Sequence, residues 1–108
     1  MRITIKDKDY ELKMTTRMAL DLEKKLGFNP VNVFVRMYKT EELPPLDQVL
    51  TMFHYCLLKM NHGMSFNDTL DLYDDYVMEG GNIGSLIEVI VQVFQEAGIL
   101  SEGNEGNA

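Results

Sequence analysis

The chain has 108 residues, of which 45% are hydrophobic and 25% charged, and its net charge is −7. These values predict one folded domain with a single core and exclude a disordered chain. No apolar run approaches the roughly 18 residues of a membrane span, and one cysteine, Cys56, excludes an internal disulfide or a multi-cysteine zinc site.

Residues Arg2 to Lys13 read as a β-hairpin. Ile3 and Ile5 alternate with polar residues, as do Tyr10, Leu12 and Met14. The charged run from Lys6 to Asp9 supplies the turn, without the Gly that a type I′ turn prefers. Thr15 or Thr16 then caps a helix that runs to Leu26 and stops at Gly27. Met18, Ala19, Leu22 and Leu26 form its apolar stripe. Arg17, Asp21, Lys24 and Lys25 lie opposite, at spacings that allow ion pairs, with Leu20 among them. Asn29 and Pro30 restart a helix, Asn29 as cap and Pro30 as first residue. Its expected apolar face is Val31, Phe34, Val35 and Tyr38.

Leu43-Pro44-Pro45 breaks the chain. Leu46, Val49, Leu50, Phe53, Leu57 and Met60 then form a long stripe that ends near Asn61-His62-Gly63. A fourth helix starts at Ser65, with Asp68 as the capping-box partner. It carries Leu70, Tyr73, Tyr76 and Val77 and stops at Gly80-Gly81. The last helix starts at Asn82 or Ser85 and ends at Gly98, with Ile83, Leu86, Ile87, Ile90, Phe94 and Ala97 on one face. The fold class is therefore mainly α: an N-terminal β-hairpin followed by a bundle of four to five helices. A single domain is expected over residues 1–99, and a polar, Gly-rich disordered tail over 100–108.

Charge is divided unevenly. Residues 1–39 carry a net +4 and residues 40–108 a net −11. Either the two halves neutralise each other within one fold, or opposite patches meet between copies and favour a homo-oligomer. Nucleic-acid binding needs clustered Lys and Arg, so the acidic balance points away from it. His54, Cys56 and His62 match no zinc spacing, and Cys56 is expected to be a buried thiol. No nucleophile elbow or phosphate-cradling Gly-rich loop is present, so no enzyme activity, metal or cofactor is expected.

Two helices stand out. In the fourth, Asp68, Asp71, Asp75 and Glu79 recur on one acidic face. That strip is either a solvated surface or a docking site for the basic first helix or a partner. In the last, Val89, Val91 and Val93 spread apolar surface around the helix, which places it at the centre of the fold or under another chain.

The segments Ile3–Leu12 and Thr16–Gly27, with Tyr76–Gly81 and the helix up to Gly98, resemble the tail assembly chaperones of long-tailed phages. That family begins with a short hairpin, then a helix with an Arg and a Leu-Glu pair before a Gly. The resemblance implies a non-enzymatic protein that binds and solubilises the tape measure protein and recruits tail tube subunits. It implies a place in the cytoplasm of the bacterial host, outside the mature virion. Leu20, Val31, Phe34, Val35, Met37, Tyr38 and Val91 are the candidate partner contacts. The alternative is a small acidic regulator or inhibitor of the DNA-mimic type, which would bind a basic protein surface through Asp68, Asp71, Asp75 and Glu79.

Overall fold

The computed structural model describes residues 1–100. Strands β1 (Arg2–Ile5) and β2 (Lys8–Glu11) precede helices α1 (Thr16–Leu26), α2 (Val31–Thr40), α3 (Leu46–Leu58), α4 (Phe66–Met78) and α5 (Ile83–Glu96). The architecture is mainly α, with an antiparallel hairpin ahead of five helices. The expected tail from Ser101 onward lies outside the described residues. Leu100, assigned to that tail, is half-buried against the core, and its amide donates to the Phe94 carbonyl.

The strands pair Arg2 with Glu11 and Ile5 with Lys8, which leaves Lys6 and Asp7 as a two-residue loop. Lys8 and Asp9, expected in the turn, are strand residues. Both loop residues have positive φ, 52° and 63°. This is the backbone of a primed hairpin turn, made here without glycine. A hairpin alone is marginal in water, and this one is tied down at both ends. Ile5 and Leu12 enter the core. Beyond β2, the Lys13 amide donates to the Cys56 carbonyl, and the Asn61 side-chain amide donates to the carbonyls of Glu11 and Leu57.

Helix α3 is the hub, packed against α1, α4 and α5. Val49, Leu50, Met52, Phe53, Cys56 and Leu57 are all buried in it. Leu46 and Met60, the ends of the expected stripe, are exposed. Cys56 is fully buried, and burial pushes its thiol up to about 12. A thiol held in that way is neutral and inert.

Local capping sets the helix starts. Thr15 accepts from the Met18 amide and opens α1, and Gly27 closes it in the left-handed conformation. Asn29 Oδ1 accepts from the Val31 amide, and α2 begins at Val31, one residue later than expected. Ser65 and Asp68 form a reciprocal capping box on α4. On α5 the box is Asn82 with Ser85, so Ser85 is the third helical residue and not the cap. Between α4 and α5, Gly81 lets the Tyr76 ring lie against the backbone where a Cβ would clash. The Tyr76 hydroxyl then reaches Ser85 Oγ at 2.6 Å.

Helix α5 crosses the core. Leu86, Ile87, Ile90, Val93 and Phe94 are buried, and Val89, Val91 and Ala97 are half-buried. The apolar spread around this helix is therefore covered within the chain only in part, with Val93 buried and Val89 and Val91 half-buried. No single helix among the described residues is long and apolar enough to cross a membrane.

Candidate functional site

The buried face of α2 is rotated by one residue from the expected one. Pro30, Val33 and Phe34 are buried and Met37 is half-buried, on the same i, i+3, i+4, i+7 spacing as the expected set Val31, Phe34, Val35 and Tyr38. Phe34 is 1% exposed and meets Phe94 edge-on at 5.4 Å between ring centres. It is a core residue and not the partner contact expected from the sequence. The rotation leaves Val35 and Tyr38 in solvent, Tyr38 at 67% exposure.

Beside this surplus lies a groove of about 530 Å³ between α2, the connection to α3 and the start of α3. Phe28, Val33, Met37, Leu43, Pro44 and Pro45 give it apolar walls. Asn32, Arg36, Thr40, Glu42 and Gln48 supply polar groups. A second depression of about 260 Å³ adjoins it, lined by Met37, Tyr38, Leu43, Gly84, Ile87, Glu88 and Val91. Met37 and Leu43 line both, so the two form one track from α2 across the connection to α5. Leu43 follows the left-handed end of α2 at Glu41, and Pro44 keeps it out of the helical conformation. It is 60% exposed. Such a track, apolar with scattered polar groups, has the composition of a groove for an amphipathic segment.

A family model matches the chain over residues 1–106: DUF6096, described as a family of unknown function. The chain belongs to the DUF6096 family. No curated protein and no solved structure matches it.

Of the residues expected to contact a partner, Met37, Tyr38 and Val91 come together in this groove. Val91 is half-buried there, so α5 contributes a wall and not an open outer face. Val31 and Val35 lie on α2 outside the lining, and Leu20 is exposed on α1 away from it. Phe28, Leu43, Pro44 and Pro45 were missed. The sequence marks the last three as a chain break; that they wall a groove depends on what packs beneath them. Arg17, Asp21, Lys24 and Lys25, expected to pair along α1, make no ion pair among the described residues.

The acidic strip is largely committed inside the fold. Asp68 accepts the Ser65 amide in the capping box, and that bond, with the Ser65 side chain, holds its carboxyl below the usual carboxylate range. Asp75 pairs with Lys6 Nζ at 3.0 Å, and Glu79 accepts the Lys6 amide at 2.8 Å. The strip therefore docks the hairpin turn and not the first helix. Asp71 is exposed. On the other side of α4, Thr69 is fully buried, and its Oγ lies 2.7 Å from His54 Nδ1. The His54 ring also meets Phe66 edge-on. Burial lowers the His54 pKa, against the opposing pull of Asp68. Neither Thr69 nor this contact has a local sequence signal.

Proposed function

We propose that this DUF6096 chain is a non-catalytic binding protein that holds an amphipathic helical segment of another protein in the groove along α2. The observation that carries the reading is the shared lining by Met37 and Leu43, which joins two depressions into one apolar track. A helix with anchors at i, i+3, i+4 and i+7 fits such a track. Met37 adds an adaptable wall suited to irregular side chains. The resemblance of the hairpin, α1 and α5 sequences to tail assembly chaperones supports one partner in particular: the tape measure protein of a long-tailed phage. On that reading the chain keeps the tape measure protein soluble in the host cytoplasm, brings tail tube subunits to it, and does not stay in the mature virion. The acidic-regulator alternative is weaker, because Asp68, Asp75 and Glu79 already have partners within the fold.

Co-expression with a long helical tape measure protein tests the proposal. The parent should hold the partner in the soluble fraction. Leu43→Asp, which places a charge at the junction of the two depressions on an exposed side chain, should lose that effect while keeping the fold. Leu20→Asp, outside the groove, should behave as the parent. A parent that leaves the partner insoluble overturns the chaperone reading, and full activity in Leu43→Asp overturns the groove.

A further inference from the structure

Two exposed helix faces of this chain oppose each other in charge. On α1, Arg17, Leu20 and Lys24 lie at i, i+3 and i+7, all exposed, with Leu20 at 55%. On α4, Asp71, Asp74 and Met78 lie at the same spacing, all exposed, with Met78 at 79%. Each stripe is one helix face with two like charges and one apolar side chain. None of the four charged residues makes an ion pair among the described residues, although Asp21 lies beside the α1 stripe. Both helices turn their other sides to the hub helix α3. The charge they carry follows the division of the whole chain, with a positive first third and a negative remainder.

We propose that these faces bind each other between copies of the chain, α4 of one molecule lying on α1 of another. Three physical effects favour a second copy as the occupant. The two cations and two carboxylates make no ion pair among the described residues, and as whole faces they are opposite in charge. Carboxylates crowded along α4 repel at i, i+3 and i+4 spacing, and a cationic helix relieves that repulsion. Leu20 and Met78, isolated apolar residues in charged surroundings, both leave water. Helices of 11 and 13 residues make a small interface, so the association belongs to the weak, salt-sensitive class.

Charge reversal on each face, separately and then mixed, tests this pairing. Sedimentation of the full chain at about 100 μM and low salt should give a species heavier than the 12.4 kDa monomer, and salt near 0.5 M should return it toward monomer. Arg17→Glu with Lys24→Glu should weaken association about tenfold or more, and Asp71→Lys with Asp74→Lys should do the same. Mixing the two double variants should restore association, because the acidic α1 of one faces the basic α4 of the other and the remaining faces match as in the parent. That restoration also shows that both variants fold. A strictly monomeric parent overturns the proposal. So does a mixture that fails to associate, or association that survives both reversals and yields to Leu43→Asp.

Discussion

Helix α5 buries Leu86, Ile87, Ile90, Val93 and Phe94, and its remaining valines, Val89 and Val91, are half-covered. Helix α2, also apolar on more than one side, buries only Val33 and Phe34 and leaves Val35 and Tyr38 in solvent. The difference lies in position. Helix α5 packs along α3 through the core, so most of its apolar residues are covered. Helix α2 sits at the rim, where one face meets Phe94 and the other meets a short connection ending in two prolines. Apolar surplus on a central helix is largely covered by the fold; the same surplus on a rim helix stays in solvent.

The sharpest way to break that contrast is to place a charge on each helix. Val93→Asp buries an unpaired carboxylate in a site that is 1% exposed and should unfold the chain. Val35→Asp, on the open side of α2, should change stability by no more than about 0.5 kcal/mol. Chemical denaturation followed by circular dichroism distinguishes them. A large loss at Val35 would mean that this face of α2 is covered.

Truncations test the same boundary within α2 alone. Phe34→Ala removes the edge-on partner of Phe94 and should cost about 3–5 kcal/mol. Tyr38→Ala, one turn further on, should cost little in stability yet weaken capture of a helical partner in the solubility assay. Equal stability losses for the two would move Tyr38 into the core and remove the groove's outer wall.

Much of the fold is legible in the sequence because its signals are local. Thr15, Gly27, Ser65 with Asp68, and Asn82 each act within a few residues of themselves, and each marks a boundary that the structure keeps. The middle of the α3 stripe and the α5 stripe are legible for a related reason, since one period fits them. The inner face of α2 is ambiguous in the sequence because two apolar sets, one residue apart, satisfy the same period. Which set faces inward is decided by Phe94, some sixty residues on. The acidic strip was opaque for the same kind of reason. Its spacing is plain, but its work depends on Lys6, which the fold delivers to Asp75 and Glu79. Thr69 is a polar residue whose burial follows from His54 on another helix, and Leu43-Pro44-Pro45 shows its break but not the groove it walls.

The α3–α4 seam gives a polar counterpart to the α2–α5 contact, and pH separates them. Burial lowers the His54 pKa below its ordinary value of 6.5. The unfolded chain therefore takes up the proton before the folded one does. The stability contributed by the neutral ring is complete above pH 6.5 and declines as the pH falls from there through the lowered folded value. Denaturation midpoints measured at pH 7.5 and at pH 5.5 should differ in the parent, with less of a difference in His54→Phe. Phe34 and Phe94 carry no titrating group, so the α2–α5 contact adds nothing to this slope. A parent midpoint that is flat over the range would mean that His54 is solvated in both states.

The smallest expected effect concerns how the two helices end. Beyond α5, Gly98 adopts φ 77°, and as a glycine it pays no steric penalty there. Helix α2 ends on Glu41 at φ 60°, a left-handed conformation that crowds any Cβ, with the Glu41 amide donating to the Met37 carbonyl. Glu41→Gly keeps that backbone hydrogen bond and removes the crowding, while the unfolded chain gains some freedom. The balance should stabilise the fold by about 0.5 kcal/mol. Gly98→Ala asks the reverse at α5 and should destabilise by about 1 kcal/mol. A gain at Glu41 with a loss at Gly98, read from paired denaturation curves, would show that the rim helix carries terminal strain that the core helix avoids. If Glu41→Gly is instead destabilising, the side chain is holding the connection to Leu43 in place. Partner capture by that variant should then fall together with its stability.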